Sequence, residues 1–182
     1  SIVMALQTIV ARNVDPQLAA VVTVGALHAG RANNVIPEEA RLELSVRALD
    51  NGVRALLKAR IHELVQLQAA SYGVTADIDW RDGYAVLVNS ARETALATEV
   101  ALRLFGADRV DSHGPAFTAS EDFAFMLQQV PGCYVFVGNG GPGTAGACNV
   151  HNPGYDFNDD IIAPGAAFWC GLVQAFLGGS AA

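Results

Sequence analysis

Residues 40–73, "ARLELSVRALDNGVRALLKARIHELVQLQAASYG", decide the fold because they change from one hydrophobic period to another. Apolar and polar residues first alternate, which predicts an antiparallel strand with one buried face. Its apolar positions are Ala40, Leu42, Leu44 and Val46. From Asn51 to Tyr72 the apolar period is that of an amphipathic helix, and Gly73 is suited to end it. The expected buried stripe of this helix contains Val53, Leu56, Leu57, Ile61, Leu64, Val65 and Leu67.

The residues around this stretch extend the pattern in both directions. "SIVMALQTIVARN" predicts a helix that ends at "VDP", because a residue before proline disfavours the helical region. "LAAVVTVGALHAG" predicts a strand, and so does "VTADIDWRDGYAVLVN". The resulting order is α-β-β-α-β. One more strand ahead of Ser1 would complete a ferredoxin-like βαββαβ unit, an antiparallel sheet with helices on one face, and we expect that first strand to be missing.

The second half of the chain predicts part of an α/β layer. A helix is expected over residues 90–105, a short helix through Met126, and a last apolar helix in "IIAPGAAFWCGLVQAFLGG". In "GCYVFVGN", residues 133–137 are continuously apolar, which is typical of a strand buried on both faces. We therefore predict the α/β class with two domains, residues 1–86 and residues 87–182.

Composition excludes several classes of protein. The chain has 182 residues, 52% of them hydrophobic, and a formal net charge of −7, which argues against nucleic acid as a partner. No run reaches the roughly 20 apolar residues that span a bilayer, so we expect no membrane partner. Three cysteines without a CxxC motif indicate reduced thiols and a cytoplasmic location.

His151 opens the polar segment "HNPGYDFNDD", which follows a long glycine-rich loop. An imidazole in such a place can bind a metal ion when an oxygen holds its second nitrogen, and Asp156, Asp159 or Asp160 could supply that oxygen. A zinc site needs about three protein ligands, so from spacing alone a turn residue is favoured over a metal ligand, and both interpretations stay open. The remaining histidines, His28, His62 and His113, are expected to be structural.

Other motifs give weaker signals. "NNVIPEEA" places Asn34 at the entrance of the predicted strand, and Arg47 near its end offers a planar fork suited to a carboxylate. From the residues alone, a turn residue and a solvated arginine explain both. No GxxxxGK[ST] phosphate loop and no GxSxG nucleophile motif is present, and Ser120 in "TASEDF" is explained as a helix N-cap.

Four segments together resemble one family of metal-dependent amidohydrolases and carboxypeptidases. They are "ALQTIVAR" with "VDP", "VTVGALHAG" with "ANNVIPEEARLELSVR", "TASEDFAFMLQQVPGCYVFVGN" and "HNPGYDFNDD". The family includes aminoacylases, carboxypeptidase G, hippurate hydrolase and the auxin-conjugate hydrolases. The resemblance covers nearly the whole chain and implies a catalytic α/β domain that carries two divalent metals, Zn or Mn, and an inserted ferredoxin-like lid.

Residue roles follow from this resemblance. His151 matches a metal ligand, Asn34 and Arg47 match lid positions that bind substrate, and residues 118–120 match a pocket-lining segment. The implied substrate is a small N-acyl amino acid of the hippurate type, whose amide bond is hydrolysed. The implied partner is a second copy of the chain, bound through the lid to form a homodimer.

The chain also departs from the family pattern. The family needs a Cys/His pair, a Glu-Glu pair with the general base, and a further His, and these 182 residues contain none of these elements. We therefore expect no catalytic residue in this chain, no retained metal, and no activity without the rest of an enzyme. The alternative is a stand-alone ferredoxin-like module for dimerisation or small-ligand binding.

Overall fold

The chain falls into two compact units in the computed structural model, which describes residues 1–178. Unit 1 contains Ser1–Leu87 and Ala116–Asp122, and unit 2 contains Val88–Pro115 and the described residues from Phe123 onward. The described residues combine helices with one antiparallel sheet, which confirms the predicted mixture of helix and strand. The assignment of residues 1–86 to a dimerisation lid and of residues 87–182 to a catalytic domain stays a prediction.

Unit 1 contains the two helices and the first two strands that the sequence predicted. They are α1 (Ile2–Asn13), β1 (Ala20–Ala29), β2 (Ala40–Ala48) and α2 (Asn51–Ala70). The strands pair antiparallel, with Ala29 opposite Ala40.

The alternation in β2 decides which side chains meet the core. Leu42, Leu44 and Val46 are half-buried, while the odd-numbered residues from Arg41 to Arg47 are exposed. The register of the β1–β2 pair shifts beside Gly25, which forms a bulge where one strand carries an extra residue.

The core of unit 1 lies between the hairpin and the two helices. It is formed by Leu6, Ile9, Val22, Val53, Leu57 and Ile61. The Asp50 carboxylate accepts a hydrogen bond from the Val53 amide at 2.9 Å and so caps the start of α2. After α2, Gly73 adopts φ +69°, as expected of a glycine at a helix end. Leu67 is 65% exposed, so its predicted place on the buried stripe is wrong.

Residues 74–89 were predicted to be a strand, and that prediction is wrong for the chain as described. Among residues 1–178 the sheet has two strands, and neither is in this segment. The segment keeps the alternation, since Ala76, Ile78 and Trp80 are half-buried. It lies along α2, where the Gln66 side chain donates a hydrogen bond to the Ala76 carbonyl at 2.9 Å. The alternation of apolar residues therefore indicates that one face of the segment is buried. A β-ladder also requires a neighbouring strand to share backbone hydrogen bonds.

Asp82 anchors the end of this segment to α2. Its carboxylate accepts hydrogen bonds from the Trp80 indole at 3.0 Å and from Lys58 at 3.2 Å, and Arg54 lies 3.3 Å away. The Trp80 indole, followed by Lys58, lowers the pKa of Asp82 from its ordinary value. The Lys58 ammonium also lies 5.3 Å from the Trp80 ring centroid.

Unit 2 is built from helices. They are α3 (Ala91–Phe105), α4 (Phe123–Leu127) and α5 (Ile162–Gly178), and the predictions of all three are confirmed. Ala97 and Val100 of α3 pack with Phe168 of α5 to form its core.

The predicted strand over residues 132–139 is not formed. No ladder includes it within the described part of the chain, and Val135, Phe136 and Val137 are exposed. The Asn89 side chain instead donates to the Tyr134 carbonyl at 2.9 Å and accepts from the Tyr134 amide at 2.8 Å. The expected burial on both faces requires sheet neighbours that residues 1–178 do not provide.

One helical stretch, Asp159–Gly178, is long and apolar enough to cross a membrane by length and composition, with a mean hydropathy of 1.6. Core helices of globular proteins meet the same criterion. Phe168 and Gly171 of this stretch are buried. The reason given from the sequence, that no run is long and apolar enough to span a bilayer, is therefore wrong, and the expectation of no membrane partner stays a prediction.

Two substitutions in α2 test the core of unit 1. Leu57→Ala removes a side chain with no exposed surface and is expected to lower the free energy of unfolding by about 2–5 kcal/mol. Leu67→Ala, on the same helix but exposed, is the matched control and should change it by about 0.5 kcal/mol or less. Urea denaturation followed by circular dichroism measures both. Equal effects would contradict the assignment of the core.

A pH titration tests the Asp82 anchor. The pKa of Asp82 is lowered in the folded chain, so its ionised carboxylate stabilises the folded state. This stabilisation is present above the ordinary pKa of 3.8 and is lost as the pH falls through the lowered pKa. In a Trp169→Phe background, which leaves Trp80 as the only tryptophan, fluorescence should change below pH 3.8. Asp82→Asn keeps an acceptor for the indole but cannot titrate, so it should abolish this change. A transition that persists in Asp82→Asn would assign it to another carboxylate.

Candidate functional site

The glycine-rich segment before His151 is a loop closed by one asparagine side chain. Asn139 Nδ2 donates to the carbonyls of Gly146 at 3.2 Å and of Asp156 at 2.8 Å. Its Oδ1 accepts from the Asn158 amide at 2.9 Å. The half-buried Asn139 side chain thus ties the start, the middle and the end of the loop together. His151 lies between residues that Asn139 holds.

Two glycines are required by the close approach of the loop backbone to itself. A Cβ on Gly146 would overlap the Asn139 carbonyl, nearer than Cβ atoms come to backbone atoms in proteins. A Cβ on Gly140 would lie 3.2 Å from Gly146 Cα and even nearer to the Thr144 hydroxyl. At these two positions the close approach of the backbone therefore requires glycine.

His151 has an unusual backbone conformation. Its φ is +68°, and it is the one residue other than glycine with positive φ among the described residues. It lies in a turn where the Asn152 amide donates to the Asn149 carbonyl at 3.3 Å and the Tyr155 amide donates to the Asn152 carbonyl at 2.9 Å. The left-handed region costs a residue with a Cβ about 1–2 kcal/mol. Such strain is often found at functional positions.

The carboxylates that follow His151 do not hold its ring. Within residues 1–178 no hydrogen bond joins the imidazole to Asp156, Asp159 or Asp160, so the expected support for the second nitrogen is absent. Asn158 instead caps the helical turn Asp159–Ile161, since its Oδ1 accepts from the Asp160 amide at 3.1 Å.

The described residues do not fit a metal centre. No group of three or more His, Cys, Asp or Glu side chains in the part of the chain that the structure describes could hold a metal ion. His151 is exposed and could supply one ligand. A zinc site requires about three protein ligands, so one ligand is too few. The expectation that this chain alone keeps no metal stays a prediction.

Arg47 makes a contact that the sequence did not indicate. Its Nη1 donates to the main-chain carbonyl of Thr118 at 2.6 Å, which ties residues 116–122 to β2 inside unit 1. A guanidinium has five N–H donors, so the rest of the fork remains available to a ligand. Because the side chain is exposed, a carboxylate from solution can reach it.

Asn34 lies in the connection between β1 and β2 and is exposed. This connection joins the strands at the end where Ala29 pairs with Ala40, whereas Arg47 pairs with Val21 toward the other end. No hydrogen bond joins Asn34 to Arg47 in the described structure. The roles of Asn34, Arg47 and His151 in binding stay predictions.

Two of the other histidines make local contacts. The His62 ring lies 2.8 Å from the Lys58 carbonyl through Nδ1 and packs on Trp80 with centroids 5.5 Å apart. The His113 ring lies 2.9 Å from the Ser112 hydroxyl. These contacts agree with the structural roles expected for both.

The groups that the sequence did not indicate are those that position His151 and Arg47. Asn139 and the Thr118 carbonyl were not singled out. A possible signal for Asn139 is its position between an apolar run and the glycine-rich loop, where an amide side chain can bridge backbone groups. A main-chain carbonyl such as that of Thr118 leaves no signal in a sequence.

Comparisons with known proteins give one family. The model of the family described as Peptidase family M20/M25/M40 matches residues 4–175. Hippurate hydrolase of Campylobacter jejuni is 36% identical over 176 residues, which are 97% of this chain and 45% of the relative. N-acetyl-L-cysteine deacetylase of Bacillus subtilis is 33% identical over 92% of this chain and 38% of its own length. N-acetyldiaminopimelate deacetylase of Streptococcus suis is 36% identical over 86% of this chain and 40% of its own length.

Solved structures have the same fold. A protein of methicillin resistant Staphylococcus aureus, proposed to be an aminohydrolase, superposes with a TM-score of 0.77 at 26% identity and covers 96% of this chain. The Bacillus subtilis YXEP protein, described as a dinuclear metal binding peptidase from the M20 family, superposes with a TM-score of 0.76 at 24% identity. The matches take up 44% and 46% of those chains. This chain thus spans less than half the length of these relatives.

Two glycine substitutions test the loop that carries His151. Gly146→Ala places a methyl group against the Asn139 carbonyl, and such overpacking costs about 1–3 kcal/mol. Amide hydrogen exchange of residues 139–158 should therefore accelerate by roughly 5- to 150-fold. Gly141→Ala is the matched control, because nothing lies within 4 Å of its added Cβ. Unchanged exchange in Gly146→Ala would show that this backbone contact does not hold the loop.

Proposed function

This chain belongs to peptidase family M20/M25/M40, and from that membership we propose that it is part of a hydrolase that cleaves the amide bond of N-acyl amino acids. The observation that carries the proposal is 36% identity to a hippurate hydrolase over 97% of this chain. The two deacetylases named above support the same class of substrate, because their substrates also carry an acyl group on an amino-acid nitrogen. We propose hippurate and related N-acyl amino acids as substrates.

In this proposal Arg47 binds the carboxylate of the substrate. The Thr118 carbonyl already accepts from Nη1 and would hold the guanidinium plane, while Nη2 and Nε donate to the two carboxylate oxygens. Charge-assisted hydrogen bonds of this kind contribute about 1.5–3 kcal/mol. Asn34 would contribute an amide to the substrate from the β1–β2 connection. Arg47 and Asn34 therefore orient the substrate and take no part in bond cleavage.

His151 would be one ligand of a metal centre whose remaining ligands lie outside this chain. Two divalent ions, Zn or Mn, would supply the activated water and the polarised carbonyl when bound. The description of the YXEP protein as a dinuclear metal binding peptidase supports divalent metal in the family. The strained backbone of His151 favours a function for its side chain, because a glycine at φ +68° would avoid the strain.

The second candidate is a module that dimerises or binds a small ligand without catalysis. It is favoured by one observation, namely that the described residues bring no three metal-binding side chains together. A homodimer through unit 1 and a cytoplasmic location are further proposals. The cytoplasmic location is supported by the cysteines, since Cys133, Cys148 and Cys170 are free thiols.

Kinetics and metal content of the 182-residue chain distinguish both candidates from an enzyme whose metal centre is formed by these residues alone. Supplied with Zn²⁺ or Mn²⁺, the 182-residue chain should not hydrolyse hippurate and should retain no stoichiometric metal after gel filtration. Elemental analysis and an assay for released glycine measure this. Stoichiometric metal with amidase activity would contradict the ligand count.

Substitutions in the whole protein that contains this chain test the binding role. Arg47→Ala should raise KM for hippurate by about tenfold or more, since the charge-assisted bonds to the carboxylate are lost. Arg41→Ala is the matched control, because Arg41 is another exposed arginine on the same face of β2 and pairs with Glu43. It should leave KM unchanged. Equal kinetics for both variants would remove Arg47 from the substrate site.

A further inference from the structure

Asn139 and Gly140 form a sequence pair that is chemically labile. Asparagine followed by glycine occurs twice in the chain, at Asn51 with Gly52 and at Asn139 with Gly140. Because glycine carries no Cβ, its main-chain nitrogen can approach the side chain of the asparagine before it. That nitrogen can attack the side-chain amide carbon and expel ammonia. The chain therefore has two candidate sites of deamidation, and their surroundings in the structure differ.

Helix α2 protects the first pair. Asn51 and Gly52 form the start of the helix, where the Asp50 carboxylate accepts from the Val53 amide at 2.9 Å. A helical backbone has ψ of about −42°, which holds the following nitrogen where a five-membered ring with the side chain cannot close. Since Val53 is buried in the core of unit 1, the start of α2 is also fixed by packing. Deamidation of Asn51 therefore requires unfolding of the first turn of α2.

The second pair lies outside the helices and strands of the described residues. Gly140 is exposed, and its amide makes no hydrogen bond within residues 1–178, so its nitrogen is available for attack. The side chain of Asn139, by contrast, is held by its three hydrogen bonds to the Gly146 carbonyl, the Asp156 carbonyl and the Asn158 amide. Three bonds of ordinary strength make the released side chain rarer by about 100-fold. Attack by the Gly140 nitrogen thus becomes possible when the loop opens.

We propose that Asn139 is a deamidation site that is gated by opening of the loop that carries His151. The Gly140 nitrogen loses its proton and forms a bond to the side-chain amide carbon of Asn139. The bond from that carbon to Nδ2 breaks, and Nδ2 leaves with the proton as ammonia. The product is a succinimide ring, which water opens at either of its two carbonyls to give aspartate or isoaspartate. Water is the one co-reactant.

Deamidation removes the donor groups that close the loop. Nδ2 supplies both of the N–H groups that are donated to Gly146 and Asp156, and an ionised carboxylate has none. Its oxygens instead face two carbonyl oxygens, so both carbonyls lose a partner and are repelled. Isoaspartate also routes the main chain through the former side chain and displaces the residues on either side. The modified loop no longer holds the backbone on both sides of His151, and refolding does not restore it.

Timed incubation of the 182-residue chain at mildly alkaline pH tests the gating. Peptide mass spectrometry measures the conversion of Asn139 and, as an internal control, of Asn51. In urea the two asparagines should convert at about the same rate, because each precedes a glycine. Without urea, Asn139 should convert about 100-fold more slowly than in urea, since its side chain is held.

Gly146→Ala opens the loop and should therefore accelerate the conversion of Asn139. The expected factor is that of hydrogen exchange in the same loop, roughly 5- to 150-fold, up to the rate in urea. The rate at Asn51, in unit 1, should not change. Gly141→Ala is the matched control, because nothing lies within 4 Å of its added Cβ, and it should leave both rates unchanged.

Asn139→Asp reproduces one product and tests the consequence for the loop. Hydrogen exchange of residues 140–158 should be faster by about tenfold or more, because two donated hydrogen bonds are lost. Asn149→Asp is the matched control. It makes the same change of charge in the same loop, but the exposed Asn149 side chain makes no hydrogen bond in the described structure. Exchange should be unchanged in this variant, and circular dichroism verifies that both variants are folded.

Three outcomes would overturn the proposal. The first is an Asn139 that stays intact in Gly146→Ala during the time in which the chain in urea is fully converted. The second is conversion of Asn139 at equal rates with and without Gly146→Ala, which would show that the loop does not gate the reaction. The third is exchange in Asn139→Asp as slow as in the unsubstituted chain. Because the readouts are masses and exchange rates, the result does not depend on hydrolase activity.

Discussion

Burial of one face of α2 against the β1–β2 hairpin is the interaction on which unit 1 depends. Leu57 and Ile61 of α2 meet Val22 of β1, and α1 closes the same core. This packing also decides what the sheet presents to solution. Because side chains alternate along a strand, burial of the face that carries Leu44 and Val46 requires Arg47 to lie on the opposite face. The availability of a guanidinium for a carboxylate is thus a consequence of core packing.

The fold could be predicted where one face of an element meets a core inside the chain. Helices α1, α2, α3 and α5 and both strands were predicted because their periodicity reflects contacts that residues 1–178 contain. The segments 74–89 and 132–139 have equally strand-like sequences, yet they form no ladder. Hydrophobic alternation records which side chains are suited to burial, whereas a ladder also requires a second strand to share hydrogen bonds. A sequence pattern therefore predicts strand character better than it predicts pairing.

The candidate site could be predicted only as residue identities. The resemblance to a family indicated His151, Asn34 and Arg47 as site residues. From the residues alone, His151 and Asn34 were explained as turn residues and Arg47 as a solvated arginine. The positive φ of His151, the Asn139 bridges and the Thr118 carbonyl depend on backbone geometry that residue types do not specify. The sequence predicted that a carboxylate after His151 could hold its ring, because three aspartates follow within nine residues. In the structure the turn around His151 is held by main-chain hydrogen bonds. Asn158 caps the helical turn Asp159–Ile161, and no aspartate holds the imidazole in the described residues.

The strained backbone at His151 is the feature of unit 2 that residue types do not reveal. Its φ of +68° lies in a turn held by main-chain hydrogen bonds, and no second and third metal-binding side chain lies beside it among the described residues. The left-handed region costs a residue with a Cβ about 1–2 kcal/mol, which packing and hydrogen bonds elsewhere in the loop have to offset. The Asn139 side chain supplies such bonds, because it joins the backbone of Gly146, Asp156 and Asn158 on both sides of His151. The conformation of the candidate ligand therefore depends on an amide side chain twelve residues before it.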